Sequence, residues 1–520
     1  MKTELEYNAF PYPAISFAHT NPERMATMAA YYGITAARPD KCRVLELGCA
    51  NGTNLLSHAY CFPNSEFLGI DISSRQIEDA NKATEKLRLR NTTFRKCDIL
   101  ELKSSDLGTF DFIVAHGVYT WVPTSVRKRM LELYSNCLAE NGIGYVSYNT
   151  FPGARLRQMT WDGMKFFTQT YKDEPKRRSE VAVAFAQTLA EVTNPQSIQH
   201  QIFSREAAYA IERPLGNICH DDLAEFNEPV NFHAFAEDLE SHGLQFLCET
   251  DPRFTYTGDL NKEAQKLIAA FGDNRIAQEQ LMDIIRCRRF RSSLVCRSSL
   301  NPEIERTKNR MNGFLISTNV RSDAPMESAY DTTRMTFRGP GGIALNIDEP
   351  LFKTILKILE GHCPSRVPFT DLTAETQTKP LNFDFDDLST VSNLVARALD
   401  ELHSAGAIRL GVHEFGHLEV VPDHPRTSDF AKLQLQQGAT TVCSVDGNFI
   451  EVEDLLMHSI LLLADGTRTQ DELIAAVCAA LPAPNKETET FQSILTTTVF
   501  EYLEDFREMG MLVSEGWPNA

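Results

Sequence analysis

The sequence predicts an α/β protein: a Rossmann-like, mostly parallel sheet, interrupted by a helical insertion and followed by two small winged-helix-like α+β units. Three observations carry this. Short apolar strands alternate with amphipathic helices through the first 150 residues. A helical, sheet-poor stretch then precedes a return to helix and strand before residue 300. Beyond it, two segments about 105 residues apart repeat one pattern.

The strands are expected at Arg43–Leu47, Glu66–Ile70, Thr93–Cys97, Phe110–Ala115 and Gly144–Tyr148. Helices are expected at Gly52–Cys61, Ser73–Leu89 and Ser125–Leu138. In the second of these, Ile77, Ala80, Ala83 and Leu87 share a face, and Ser73 or Ser74 supplies the N-cap. Residues 164–225 read as helical. Asn231–Thr250 reads as a helix stopped by Gly243 and then a strand, and Phe290–Arg297 alternates like a last strand. The nucleotide-type domain is therefore expected to comprise 1–150 and 228–300, with an insertion at 151–227 covering substrate or making a dimer.

The repeat pairs ILKILEG (355–361) with ILLLADG (460–466), and LDELHSAGAI (399–408) with LEDFREMGML (503–512). Each copy reads helix, helix, long helix ending at Gly, then strand, the layout of a winged helix. The expected units are 346–422 and 430–520, with 301–345 as a linker.

At 42% hydrophobic and 23% charged, the composition is that of a globular protein. No apolar run reaches membrane-spanning length. MKTELEYNAFPYP has acids and prolines where a signal peptide needs an apolar run, so a cytoplasmic location is expected. The net charge of −19 argues against a nucleic-acid partner and favours a basic or neutral one. Arg286, Arg288, Arg289, Arg291 and Arg297 form a basic cluster, expected on an exposed helix end and strand. The twelve cysteines are dispersed without CxxC, which predicts reduced thiols and no zinc knuckle.

The chemistry starts at VLELGCANGTN, Val44–Asn54. A glycine-rich turn from strand to helix lets backbone approach a ligand. The spacing also suits NAD, but three features favour S-adenosylmethionine. Glu46 sits inside the strand end, where an acid suits the ligand's cationic amino-acid end. Asp71, followed by Ile72, ends the second strand, where a carboxylate accepts both ribose hydroxyls. Asp98 and Ile99 end the third strand, for the adenine amino group and ring. The expected cofactor residues are Glu46, Gly48, Cys49, Ala50, Asn51, Asn54, Asp71, Ile72, Asp98, Ile99, His116 and Gly117, with Tyr12 closing over the site beside Tyr7. Ala50 stands where glycine is usual, and its methyl is tolerable if φ stays negative. His116, Tyr119 and Tyr148 are the candidates for shaping the methyl-transfer pocket. Trp121 lies in the same segment as His116 and Tyr119. No Asn-Pro-Pro-Tyr turn follows the fourth strand, which argues against adenine or glutamine amide methylation. HEFGH (413–417) matches HExxH, but glycines interrupt it between strand-like flanks, so no metal is expected.

PYPAISF (11–17), the cradle, GIDIS (69–73), AHGVYTWVP (115–123) and VSYNTFPG (146–153) resemble a bacterial class I methyltransferase family with an attached methyltransferase regulatory domain. His220-Asp221, NFHAFAEDLESHGLQFL (231–247) and RRFRSSLVCR (288–297) resemble that regulatory segment. The family includes rickettsial protein-lysine methyltransferases that modify outer-membrane proteins. The resemblance implies S-adenosylmethionine as cofactor and a protein substrate, such as an outer-membrane protein precursor, methylated on lysine. A small-molecule N- or O-methyltransferase and a non-catalytic cofactor-binding regulator remain as alternatives, and a homodimer is a possible assembly.

Overall fold

The computed structural model describes residues 2–303, 311–318, 320–339, 342–381, 388–481 and 489–517. Two compact units divide it: Met1–Ala37, Lys41–Leu56 and Asn64–Pro302 in the first; Arg38–Asp40, Ser57–Pro63 and Glu303–Ala520 in the second.

The first unit opens with two helices that the alternating pattern did not announce, α1 (Lys2–Ala9) and α2 (Pro22–Tyr31). The α2 helix starts where Asn21 caps it through its side chain and Pro22 takes the first turn. There follow β1 (Arg43–Leu47), α3 (Thr53–Cys61), β2 (Glu66–Asp71), α4 (Ser74–Leu87), β3 (Thr92–Lys96), β4 (Phe110–Ala115), α5 (Thr124–Cys137) and β5 (Leu138–Asn149). Ser73 is the cap of α4, accepting from the Gln76 amide. Between β5 and the next strand the chain runs through α6 (Ala154–Phe167), α7 (Pro175–Val192), α8 (Ile198–Glu212) and the single turn α9 (Leu215–Asn217), which passes into a π-helical turn, Ile218–Asp222. Ala182, Ala186, Ala207 and Ala210 pack with Met164 and Ile218 at its centre, small side chains that let the helices approach closely.

The chain returns to the sheet through α10 (Phe232–Glu240), β6 (Leu244–Glu249), α11 (Lys262–Ala269), α12 (Arg275–Arg286) and β7 (Phe290–Arg297). The seven strands lie in the order β3-β2-β1-β4-β5-β7-β6. All neighbours are parallel except β7, which runs antiparallel to both β5 and β6. Strand order reverses between β1 and β4, so the crevice for a ligand opens there, beyond the strands' carboxyl ends.

One sequence expectation is overturned here. The arginines around β7 do not sit on an exposed surface: Arg291 is fully buried and Arg288 nearly so. Arg291 bonds Glu249 at 2.8 Å, Asp283 at 2.8 Å and Glu279 at 3.0 Å. Arg288 faces Asp283 at 3.2 Å. The acids that pair them come from β6, 42 residues from Arg291 along the chain, and from α12 just before β7, which the fold turns back against the strand.

In the second unit, the segment 301–345 is not only a linker. It contributes β8 (Leu315–Thr318), β9 (Met335–Gly339) and the start of β10 (Ile343–Ile347). The elements α13 (Pro350–Gly361), β11 (Val367–Pro368), α14 (Phe369–Gln377), α15 (Leu388–Ser404) and β12 (Ile408–Gly411) follow, with β8 between β11 and β12 in one small sheet. Next come α16 (Asp429–Gln436) and the hairpin β13 (Thr441–Cys443) with β14 (Phe449–Glu451), then α17 (Leu455–Leu463), α18 (Gln470–Ala480) and α19 (Glu489–Glu508). The repeat is structural: α13, α14 and α15 recur as α17, α18 and α19. Both long helices stop on a left-handed glycine, Gly406 (φ 77°) and Gly510 (φ 66°). In each, the next amide reaches back five residues, Ala407 to Leu402 and Met511 to Phe506, both at 2.8 Å.

Candidate functional site

The cradle is built where β1 hands over to α3. Gly48 has φ 74°, and a Cβ there would meet Val118 at 2.7 Å; a Cβ on Gly52 would meet the Phe94 ring at 2.6 Å. Neither position accepts a side chain. Ala50 departs from expectation: its φ is +48°, in the left-handed region, not negative. The turn holds because the Ala50 amide donates to Asp71 Oδ2 at 2.9 Å. A non-glycine residue in that conformation costs ~1 kcal/mol.

Glu46 is buried, and its Oε1 accepts from Asn54 Nδ2 at 2.7 Å while Oε2 has no partner. Burial pushes its carboxyl up to about 8, against the Asn54 bond that lowers it. Asn54 in turn accepts from the Phe17 amide at 2.8 Å and from Thr20 Oγ1 at 3.0 Å, which ties the N-terminal segment to the cradle. Asn51 Oδ1, two residues before α3 begins, accepts from the Thr53 amide at 3.2 Å and from Thr53 Oγ1 at 2.9 Å. Cys49 is buried beneath the turn, its amide donating to the Ile70 carbonyl. Asp71 at the end of β2 also accepts from the Ser73 amide at 2.8 Å. Each of its oxygens thus spends one acceptor site on backbone and keeps one to spare. Burial raises its pKa. Ile72 follows, half-buried. Asp98 uses Oδ1 to cap the turn after β3, accepting from the Leu100 amide at 2.9 Å; Ile99 beside it is half-buried.

His116 and Gly117 end β4. The His116 ring is held between Phe17, stacked at 3.5 Å, and Tyr145, whose hydroxyl is 2.9 Å from Nδ1. Burial, helped by His19, lowers its pKa to about 3, so it is neutral at physiological pH and a poor proton acceptor. It forms part of the pocket wall. A Cβ on Gly117 would meet nothing, so space opens there.

Tyr119 and Tyr148, the other two candidates for the methyl-transfer pocket, are not brought to the cradle. Both are fully buried and pack on Phe235 of α10. Tyr119 donates to Asp238 at 2.7 Å, and the Tyr148 hydroxyl meets Ser293 Oγ at 3.2 Å. Along β5 side chains alternate. Ser147, with Tyr145, faces the cradle and accepts from the Gly117 amide at 2.8 Å, so Tyr148 faces the opposite core.

The N-terminal segment lies against the turn that follows β2. Asn8 Oδ1 accepts from Ser73 Oγ at 2.7 Å, and the Tyr7 ring stacks on His220 at 4.3 Å. Burial, with Asp71 and Asp221 nearby, holds the Tyr7 hydroxyl protonated well above its ordinary pKa. The Tyr12 hydroxyl lies 3.4 Å from both Asp221 carboxylate oxygens and accepts from Asn217 Nδ2 at 2.8 Å. Asn217, Asn227 and Asn149 were not singled out from sequence. A lone asparagine carries no local signal, and these three matter through partners far along the chain.

The donor set fits S-adenosylmethionine: an unpaired carboxylate oxygen at β1, spare carboxylate acceptors at β2, an acid at β3, and a turn with no room for side chains. Sheet order and site together define an S-adenosylmethionine-dependent methyltransferase of the Rossmann-like class.

Comparisons with known proteins agree. Residues 39–206 match a methyltransferase domain, 216–297 a predicted methyltransferase regulatory domain, and 423–498 the PKMT C-terminal winged helix domain. An uncharacterized protein of Rickettsia prowazekii (strain Madrid E) is 30% identical over 387 residues, covering 74% of this chain and 70% of that one. A second from the same organism is 32% identical over 248 residues, 47% of this chain and 97% of that one. PKMT2 from Rickettsia typhi, solved alone and in complex with AdoHcy, shares the fold at TM-scores of 0.85 and 0.84. It is 24% identical, over 97% of this chain and 100% of that one. The chain belongs to the bacterial family of S-adenosylmethionine-dependent methyltransferases that carry a methyltransferase regulatory domain.

Proposed function

We propose that this enzyme methylates lysine side chains of a polypeptide, with S-adenosylmethionine as the methyl donor. The observation that carries this reading is the full-length likeness to PKMT2, which includes the winged-helix region as well as the catalytic domain.

The bound cofactor supplies an electrophilic methyl group on a sulfonium. The chain's own residues do the rest. Glu46 receives the cofactor's ammonium end, with Oε2 free for it. Asp71 and Asp98 hold the ribose and the adenine, and Ile72 and Ile99 supply apolar contact. Gly48, Cys49, Ala50, Asn51 and Asn54 shape and brace the turn. Phe17 and His116 wall the pocket, while Tyr7 and Tyr12 close it. Holding acceptor and methyl in line supplies up to ~7–11 kcal/mol of the barrier. A lysine amine must shed its proton first, which a desolvated site promotes. Beside Tyr12, Asp221, raised to about 7 by burial and by Asp222, can take that proton.

The test uses a cell lysate incubated with the enzyme and S-adenosylmethionine labelled on the methyl group. Label is expected in the protein fraction and, after acid hydrolysis, as methyl-lysine. Label confined to small molecules would overturn the reading in favour of a small-molecule acceptor. No transfer at all, with intact cofactor binding, would favour a regulator. An outer-membrane protein precursor is the first acceptor to try, and the oligomeric state is read in the same preparation.

A further inference from the structure

Asn149 is the last residue of β5, fully buried, at the carboxyl edge of the sheet on the face that Ser147 and Tyr145 turn to the cradle. Its orientation is set by a chain of amides. Asn227 Nδ2 donates to the Asp221 main-chain carbonyl at 2.9 Å, which leaves Asn227 Oδ1 to accept from Asn149 Nδ2, also at 2.9 Å. Asn149 Oδ1 is left over, buried and without a partner. Further along, Asn217 Nδ2 donates to the Tyr12 hydroxyl, and the hydroxyl lies against Asp221; Asn217 Oδ1 is likewise buried without a partner.

The side-chain amide donors of this chain are thus turned inward. Asn149, Asn227 and Asn217 each spend an N–H within it. Each NH2 keeps a second N–H, but the two atoms of these amides left without any partner are acceptors, Asn149 Oδ1 and Asn217 Oδ1. Beside them the partly exposed Asp221 carboxylate faces the Tyr12 hydroxyl and Arg213, 3.5 Å away. A buried acceptor without a donor is costly, so the occupant must bring a hydrogen-bond donor, and an amine with its N–H groups supplies one.

We propose that Asn149 Oδ1 is an acceptor-binding group that takes an N–H of the amine to be methylated, with Asn217 Oδ1 and Asp221 as the outer acceptors of the same seat. This deepens the amine-acceptor reading above and rests on it for where the methyl goes. It adds a limit on the product. In each cycle the ammonium first loses one proton, and the freed nitrogen pair then forms the N–C bond as the S–C bond breaks and leaves its electrons on sulfur, so one N–H is replaced by one N–CH3. A trimethylated nitrogen has no N–H left to satisfy Asn149, so the seat favours acceptors that still carry one and disfavours the trimethyl product.

The test compares two cations of equal charge, n-butylammonium and n-butyltrimethylammonium, titrated into the protein saturated with AdoHcy at constant ionic strength, and needs no variant. Butylammonium is expected to bind at least tenfold tighter. In Asn149→Leu that preference should fall below about threefold, with AdoHcy affinity unchanged as the check on folding; Asn217→Leu gives a second, smaller loss. Equal binding of the two cations to the wild type would overturn the proposal, as would a full preference kept by Asn149→Leu. The lysate experiment is independent. Methyl-lysine formed without an N–H preference sinks this inference alone, and an N–H preference with label only in small molecules sinks the polypeptide reading alone.

Discussion

With the cofactor's ammonium placed at Glu46 as proposed, one buried carboxyl couples cofactor binding to pH. Its pKa of about 8 in the ligand-free protein means it is largely protonated at pH 7. A cationic ammonium beside Oε2 favours the ionised form, so binding expels a proton. AdoHcy affinity is therefore expected to rise by up to tenfold per unit between pH 6 and 8 and then level off. Titration calorimetry in two buffers of different ionisation enthalpy should register a proton released at pH 7. A flat affinity profile would remove Glu46 from the ammonium site. The sign for stability is opposite. A carboxyl raised from 4.5 to about 8 stabilises the ligand-free fold below pH 4.5 and withdraws that contribution as pH climbs through 8. Two further residues give simple tests. Ala50→Gly relieves a left-handed φ at the expense of chain entropy, for a net gain of roughly 0.5 kcal/mol read as a higher Tm. Tyr148→Phe should keep wild-type turnover and lose about 1 kcal/mol of stability, because its hydroxyl serves Ser293 in the core. A large drop in kcat would return Tyr148 to the site.

Among the elements, β7 and its neighbours are the most demanding. Arg291 on β7 is surrounded by Glu249 of β6 and by Glu279 and Asp283 of α12. Removing the arginine takes the ion pair from Glu249 and leaves Glu279 and Asp283 to Arg288 alone, and breaking such a pair costs ~3–5 kcal/mol. Arg291→Met is expected to lower the unfolding free energy of the first unit, read from urea denaturation, by that much, while a change within about 1 kcal/mol would mean the acids find other partners. Glu249 has its pKa lowered by Arg291 and Arg288 against burial. Its contribution is complete above the ordinary carboxylate range and is lost as pH falls through the lowered folded-state value. The strands and helices themselves were legible. The cap at Ser73 and the glycine stops at Gly406 and Gly510 follow local rules. The N-terminal helix α1 was not legible, since it gains its place by Asn8 reaching Ser73, 65 residues away.

At the scale of the molecule, the net charge of −19 bears on the acceptor. An acidic surface steers a basic polypeptide, and salt screens that attraction. For a lysine-rich acceptor, kcat/KM is expected to fall several-fold between 50 and 500 mM salt with kcat held, a split that stopped-time assays resolve. Among the described residues no helix is long and apolar enough to cross a membrane. The order of strands and helices, the cradle with Asp71 and Asp98 behind it, and the tandem repeat were determined by the sequence by itself. Each is written in residues close together along the chain, where periodicity, caps and turn chemistry act. The tertiary structure alone decided which face of β5 each side chain takes, so that Tyr148 went to the core and Asn149 to the site. It also decided which polar groups find partners: Arg291 did, whereas Glu46 Oε2 and Asn149 Oδ1 did not. Hydrogen-bond satisfaction is a sum over distant contacts, such as Tyr12 with Asp221 across 209 residues, and no local stretch of sequence contains that sum.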